Sequence, residues 1–318
     1  MKKVLAIIGP TASGKTQIGV ETAKLLDGEI ISADSRQVYK HFPIASAIPS
    51  EKEREGIPHH FMEELNLNEE FNAGDFGRMG RELINRIFES GKQPIIVGGS
   101  GLYIRSLIDG LFDDDEDPAT KEEGSKEIRD KLYERLKEKG KEFLYNELKE
   151  IDKIAAATML PTNFKRVIRA LEIYYATGKK ISDLHKNKIE VDFKTLQVGL
   201  MWDRAELYKR INERVDMMLE MGLVDEVRQL KNNGYNPVQY NSLNTVGIKE
   251  VFSYLDNETT QSEMIRLIKQ NSRRYAKRQM TWFRKDKRIN WVNLSHDSDI
   301  KRVAGEVVTL FENFNPEK

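Results

Sequence analysis

The chain has 318 residues, 39% of them hydrophobic, with 51 basic and 51 acidic side chains and no cysteine. That length suits one large or two modest domains with a buried core. The absence of cysteine excludes disulfides, a thiolate nucleophile and a cysteine-based zinc site, and the charge balance means that a nucleic acid must be held by a local basic patch rather than by net attraction.

In chain order, Met1, Lys2 and Lys3 precede an apolar run at residues 4–8 that is too short for a signal peptide and leads straight into Gly-Pro-Thr, so it is predicted as a first strand. Gly9 to Thr16 (GPTASGKT) form a glycine loop, and Ile18, Thr22, Leu25 and Leu26 give residues 16–26 helical spacing. Residues 29–33 (EIISA) and 94–97 (PIIV) are short, nearly all-apolar runs, the pattern of parallel strands covered on both faces. Between them, Phe76, Met79, Leu83, Ile84 and Ile87 mark a crossover helix over 73–89. No stretch approaches the roughly 20 apolar residues that span a bilayer, so a soluble, cytoplasmic protein is expected.

Residues 113–117 are all acidic and open a Lys/Glu-rich tract with apolar positions at Ile128, Leu132, Leu136, Phe143, Leu144 and Leu148. The acidic run reads as a solvated linker, with Mg²⁺ binding as the alternative. The composition shift predicts a helical insertion over 116–194, flanked by a core of 1–115 and 195–318. A strand returns over 191–198, followed by a helix over 204–230.

Four motifs carry chemistry. GPTASGKT fits G-x-x-x-x-G-K-[ST] between a strand and a helix, where backbone N–H groups, the helix N-terminus and Lys15 bind phosphates and Thr16 ligates Mg²⁺. Asp34 directly follows EIISA, at the ligand end of a parallel strand; Mg²⁺ ligand, helix cap and general base are all open to it. Gly98-Gly99-Ser100-Gly101 follows PIIV, where a P-loop ATPase often has an aspartate. Its glycines would let a bulky ligand approach the backbone, and Ser100 would bond to that ligand. Finally, residues 273–288 (RRYAKRQMTWFRKDKR) group Arg274, Arg278 and Thr281 on one helical side, with Tyr275, Trp282 and Phe283 interleaved to stack bases. His59 and His60 are adjacent, point in different directions and have no ligand-spaced partner.

Taken in order, GPTASGKT, ISADSRQVY, IPHHF, GGSGLYI, FKRVIRALEIYYATGK, RINERVDMMLEMGLVDEV and RRYAKRQMTWFR resemble the tRNA dimethylallyltransferase family from residue 1 to about residue 290. The resemblance implies an α/β fold with a P-loop NTPase-like three-layer core, a parallel sheet and an inserted all-helical domain. It implies transfer of a dimethylallyl group from dimethylallyl diphosphate, with Mg²⁺, to N6 of the adenosine 3′ to the anticodon, by a monomer that binds the tRNA anticodon stem-loop and no membrane. By position, Gly9, Pro10, Thr11, Ala12, Ser13, Gly14, Lys15 and Thr16 would hold the diphosphate with Arg204 and Arg210 nearby. Asp34 would be the general base and Ser100 would bond the target base. Ser35, Arg36, Gln37, Lys121, Lys165, Arg166, Arg169, Asn244, Gly247, Lys249, Arg274 and Arg278 would contact tRNA.

The chain departs from the family pattern at Ser100, usually threonine, and at Ala45, Ser46 and Ile48, where glycine, threonine and lysine are usual. Lys121 stands where an arginine is expected. Competing readings are a P-loop small-molecule kinase, an RNA-binding ATPase and an adenylate isopentenyltransferase.

Overall fold

A computed structural model describes residues 2–110, 123–186 and 190–315; the acidic run 113–117 and Lys121 lie outside them. In chain order the elements are β1 (Lys2–Ile8), α1 (Lys15–Leu25), β2 (Gly28–Ala33), α2 (Pro43–Ser46), α3 (Glu51–Arg54), β3 (His59–His60), α4 (Ala73–Glu89), β4 (Gln93–Gly98) and α5 (Gly101–Asp109). There follow α6 (Glu123–Ile151), α7 (Lys153–Ala157), α8 (Phe164–Thr177), α9 (Ile181–Leu184), β5 (Phe193–Trp202), α10 (Arg204–Glu220), α11 (Leu223–Asn232), α12 (Ile248–Leu255), α13 (Gln261–Phe283), β6 (Ile289–Leu294) and α14 (Ile300–Glu312).

The chain divides into two compact units, Met1–Ile104 with Asp192–Lys318, and Arg105–Val191. The first is built on a six-stranded sheet in the order β3-β2-β4-β1-β5-β6 with every pairing parallel. Parallel strands need covered faces, and the alternation of side chains supplies them. Leu5, Ile7, Ile30, Ile95, Val97, Val198 and Leu200 pack with Ile18, Val20 and Ala23 of α1 and Val303, Val307 and Phe311 of α14. Val4, Ala6, Ile8, Ile31 and Ile96, on the opposite face, are equally buried, and α4 packs on β4. β1 lies between β4 and β5, so the chain crosses to the other half of the sheet there. The crevice beyond the strand C-termini, where such sheets bind ligands, forms at this reversal.

The second unit is helical. Leu132, Leu144, Leu148, Val167, Ile168, Leu171 and Ile173 form its core. Phe143 was expected inside but is 40% exposed, because α6 breaks at Gly140 (φ 81°) and the helical phase is reset there. Inside this unit Glu172, only 1% exposed, accepts from Ser125 Oγ at 2.6 Å, Arg129 Nη2 at 2.8 Å and Arg169 Nη1 at 2.9 Å. Burial opposes its charge, yet the Arg129 and Ser125 hydrogen bonds and the Arg169 charge hold its carboxyl below the usual range.

The helical stretch expected over 204–230 is made of two helices, α10 and α11. Gly222, with φ 98°, takes a left-handed conformation that ends the path of α10 and opens α11. β3 and β6, the sheet's two edges, have no clear period in the sequence.

Candidate active site

The loop between β1 and α1 is shaped by its own residues and braced from behind. Gly14 sits at φ 89° as the N-cap of α1, a conformation that costs glycine nothing; Ala12 adopts a positive φ of 62° as well. The braces come from β5 and α10. Trp202 Nε1 donates to the Ser13 carbonyl at 3.0 Å and Arg210 Nε donates to the Ala12 carbonyl at 2.9 Å. The Arg210 guanidinium also lies 4.2 Å from the Trp202 ring centre. Arg210 therefore supports the loop rather than lining the cleft in front of it, and Arg204 lies exposed against Tyr208.

The cleft itself has a volume of ≈ 520 Å³ and collects Lys15 and Thr16 from α1, Asp34 to Gln37 after β2, Arg214 from α10, and Tyr275, Arg278 and Gln279 from α13. Lys15 Nζ donates to the Pro10 carbonyl at 2.6 Å. Burial first, and the Arg214 charge second, push its pKa down to about 7 against the opposing pull of Asp34. Arg214 is likewise pushed down by burial, with Asp34 opposing. The cleft thus gathers Lys15, Arg36, Arg214, Lys249 and Arg278 against two carboxylates, Asp34 and Glu250, an arrangement suited to a polyanionic ligand.

Asp34 is held by its own turn: Arg36 N donates to Asp34 Oδ1 at 2.9 Å. Next to it, Ser35 N donates to Ser100 Oγ at 3.1 Å and Ser100 N to the Ala33 carbonyl at 3.1 Å. These bonds join the ends of β2 and β4 and bring Ser100 beside Asp34. The Tyr275 hydroxyl is pushed up to about 12, by burial first and by the Asp34 charge second, with Ser100 opposing.

Several residues expected to face RNA are engaged within the protein. The Arg36 guanidinium donates to the carbonyls of Asn241 at 2.8 Å and Ser242 at 3.2 Å. Gln37 accepts from Ser32 Oγ at 2.8 Å and donates to the Ala47 carbonyl at 3.0 Å. Arg169 belongs to the Glu172 cluster in the helical unit, where Lys165 and Arg166 are exposed. Asn244 and Lys249 line the cleft, and Gly247, at φ 98°, starts α12. Arg274 and Arg278 are exposed on α13.

The glycines at 98, 99 and 101 make room for protein groups. A Cβ on Gly98 would stand 2.2 Å from the Ala33 carbonyl oxygen, on Gly99 2.4 Å from Gln279 Nε2, and on Gly101 2.2 Å from Trp282 Cδ1. The aromatic interleaving of α13 is corrected for the same reason. Phe283 is 2% exposed in the core, Trp282 packs on Gly101, and among these rings Tyr275 is the one that lines the cleft.

Sequence reasoning missed Arg214 and Gln279. Arg214 follows Arg210 by one helical turn in RINERV, a spacing that puts both on adjoining faces of α10; Gln279 had no signal beyond its place in the basic block. The two histidines diverge, His59 into the cleft with Nδ1 2.8 Å from the Ile57 carbonyl, His60 onto Glu29 at 2.7 Å.

Among the described residues no group of three or more His, Cys, Asp or Glu side chains forms a metal cage. Thr16 and Asp34 line the same cleft, which fits a divalent ion carried mainly by phosphate oxygens and water. No helix among the described residues is long and apolar enough to cross a membrane.

The model of the family described as IPP transferase matches residues 37–286. A tRNA dimethylallyltransferase of Alkaliphilus oremlandii is 44% identical over 99% of this chain and 99% of its own length, so the matched region extends over nearly the whole chain. The full-length tRNA isopentenylpyrophosphate transferase of Bacillus halodurans superposes with a TM-score of 0.70 at 37% identity, covering 98% of this chain and 97% of that one. A eukaryotic dimethylallyltransferase acting on tRNA gives a TM-score of 0.82 at 31% identity, over 99% of this chain and 81% of that one.

Proposed function

The chain belongs to the IPP transferase family, and on that footing we propose that it transfers a dimethylallyl group from dimethylallyl diphosphate to N6 of the adenosine 3′ to the anticodon in tRNA. The observation that carries this reading is the single cleft in which Lys15 and Thr16 of the glycine loop open beside Asp34. One side holds a leaving group and the other receives a nucleophile.

In the reaction the allylic C1–O bond breaks and its electron pair leaves with the diphosphate; the N6 lone pair forms the new C1–N bond, and one N6 proton passes to the Asp34 carboxylate. Adenine N6 is a weak nucleophile because its lone pair is delocalised into the ring, so a placed base contributes about 10²- to 10⁴-fold. As C1–O lengthens, charge builds on the diphosphate oxygens, where the loop amides, Lys15 and Arg214 stabilise it. Mg²⁺, held by Thr16 and the diphosphate, would add neutralising charge at the leaving group. Ser100, fixed by Ser35 N, bonds the target base beside Asp34.

A base stacked in an anticodon loop is out of reach of a cleft, so it must be extruded at a cost of a few kcal/mol. Arg274 and Arg278 on α13, Asn244 and Lys249 by the cleft, and Lys165 and Arg166 of the helical unit supply cationic and polar contacts to the RNA backbone that offset it. Arg36 serves the RNA indirectly, by fixing the turn that carries Asn241 to Asn244.

The test is transfer of labelled dimethylallyl diphosphate to unmodified tRNA transcripts with adenosine or guanosine 3′ to the anticodon. Label on the adenosine transcript alone is expected. Phosphate transfer from ATP to a metabolite with no tRNA labelling would support the kinase reading instead.

A further inference from the structure

Gln279 is 7% exposed, and its single amide group bridges the two loops that follow the neighbouring strands β1 and β4. Its Oε1 accepts from Thr11 N of the glycine loop at 2.9 Å, and its Nε2 donates to the Gly99 carbonyl at 3.0 Å. The first loop holds the leaving group; the second carries Ser100, bonded to the turn that bears Asp34. Gly99 is needed for the bridge, since a Cβ there would stand 2.4 Å from Nε2 and 3.1 Å from the Gly9 carbonyl. The Thr11 N–H, engaged by Gln279, points to protein and not to an anion.

We propose that Gln279 is a positioning residue that sets the spacing between the diphosphate and the acceptor base. This rests on the transferase reading of the cleft. Both partners are main-chain groups just beyond the Ile8–Gly98 end of the β1–β4 pairing, so the side chain of α13 ties the two loops together where that pairing stops. Displacement attack by N6 on C1 requires the reacting atoms within about 3–3.5 Å and aligned, and a shift near 1 Å is enough to cost about 10²-fold. Because each loop keeps its own braces, Trp202 and Arg210 for the first and Ala33 and Ser35 for the second, losing Gln279 should leave each substrate bound and spoil their alignment.

The experiment compares wild type, Gln279→Leu and Gln279→Glu in steady-state transfer, with melting temperature and tRNA affinity as controls of folding. Gln279→Leu removes both bonds at similar volume and is expected to lower kcat by about 10²-fold, with KM for both substrates within about threefold. Gln279→Glu keeps an acceptor for Thr11 N but opposes a carboxylate to the Gly99 carbonyl, so its kcat should also fall, and it provides the test if the leucine variant fails to fold. A folded variant with wild-type kcat would overturn the proposal, as would a loss confined to KM for the allylic diphosphate, which would make Gln279 a part of the anion site. No turnover in wild type would overturn the transferase reading and this inference together; turnover in wild type with unaffected variants would overturn the inference alone.

Discussion

Lys15 donates to the carbonyl of Pro10 at 2.6 Å, an ammonium folded back onto the loop that its own helix begins. Burial and Arg214 hold its pKa at about 7, so above neutrality the ligand-free site is short of the charge that its substrate requires.

A diphosphate entering the loop supplies the counter-charge that raises this pKa, and binding must then take up a proton. At about pH 8.5, where the free diphosphate is fully ionised, titration calorimetry of a thio analogue of dimethylallyl diphosphate in buffers of different ionisation enthalpy should show uptake approaching one proton. Affinity should weaken as pH rises through about 7 and beyond. Lys15→Met should abolish the uptake; wild type showing none would remove Lys15 from the diphosphate site.

The helical unit carries its own pH dependence. Glu172 has a carboxyl pKa below its unfolded value, so its stabilisation is complete above the unfolded value near 4.3 and is lost as pH falls through the folded one. Hydrogen-exchange protection over residues 125–186, taken relative to the intrinsic rate at each pH, should fall on acidification. Glu172→Ala, which removes the acceptor shared by Ser125, Arg129 and Arg169, should destabilise this unit by about 1–3 kcal/mol; exchange unchanged in the variant would show that the cluster contributes nothing.

The glycines after β4 should rank by what they meet. Gly98→Ala drives a Cβ into the Ala33 backbone and should cost about 3 kcal/mol or more, whereas at Gly101 the obstacle is a side chain, the 43% exposed Trp282 ring. Chemical denaturation should find Gly98→Ala clearly the less stable; equal stabilities would contradict the packing role.

The sheet and its glycine loop were legible because their signals are local: β-branched runs covered on both faces, one glycine spacing, and Asp34 at a strand end. What stayed hidden depends on distant partners. Nothing in SADSRQVY says that the Arg36 guanidinium meets carbonyls at Asn241 and Ser242. Composition likewise cannot separate Phe283, which enters the core, from Tyr275, which lines the cleft. The glycines at 98–101 read as space for a ligand because sequence gives the missing side chains but not what fills their place. Gly222 was visible, yet a single glycine does not announce a left-handed turn.

The central claim is that Asp34 takes the N6 proton while the glycine loop holds the leaving group. Single-turnover transfer to tRNA by wild type and Asp34→Ala tests it most directly, with tRNA affinity measured alongside. The rate should fall at least about a hundredfold in the variant with tRNA binding near normal. An equal rate in the two proteins would contradict it.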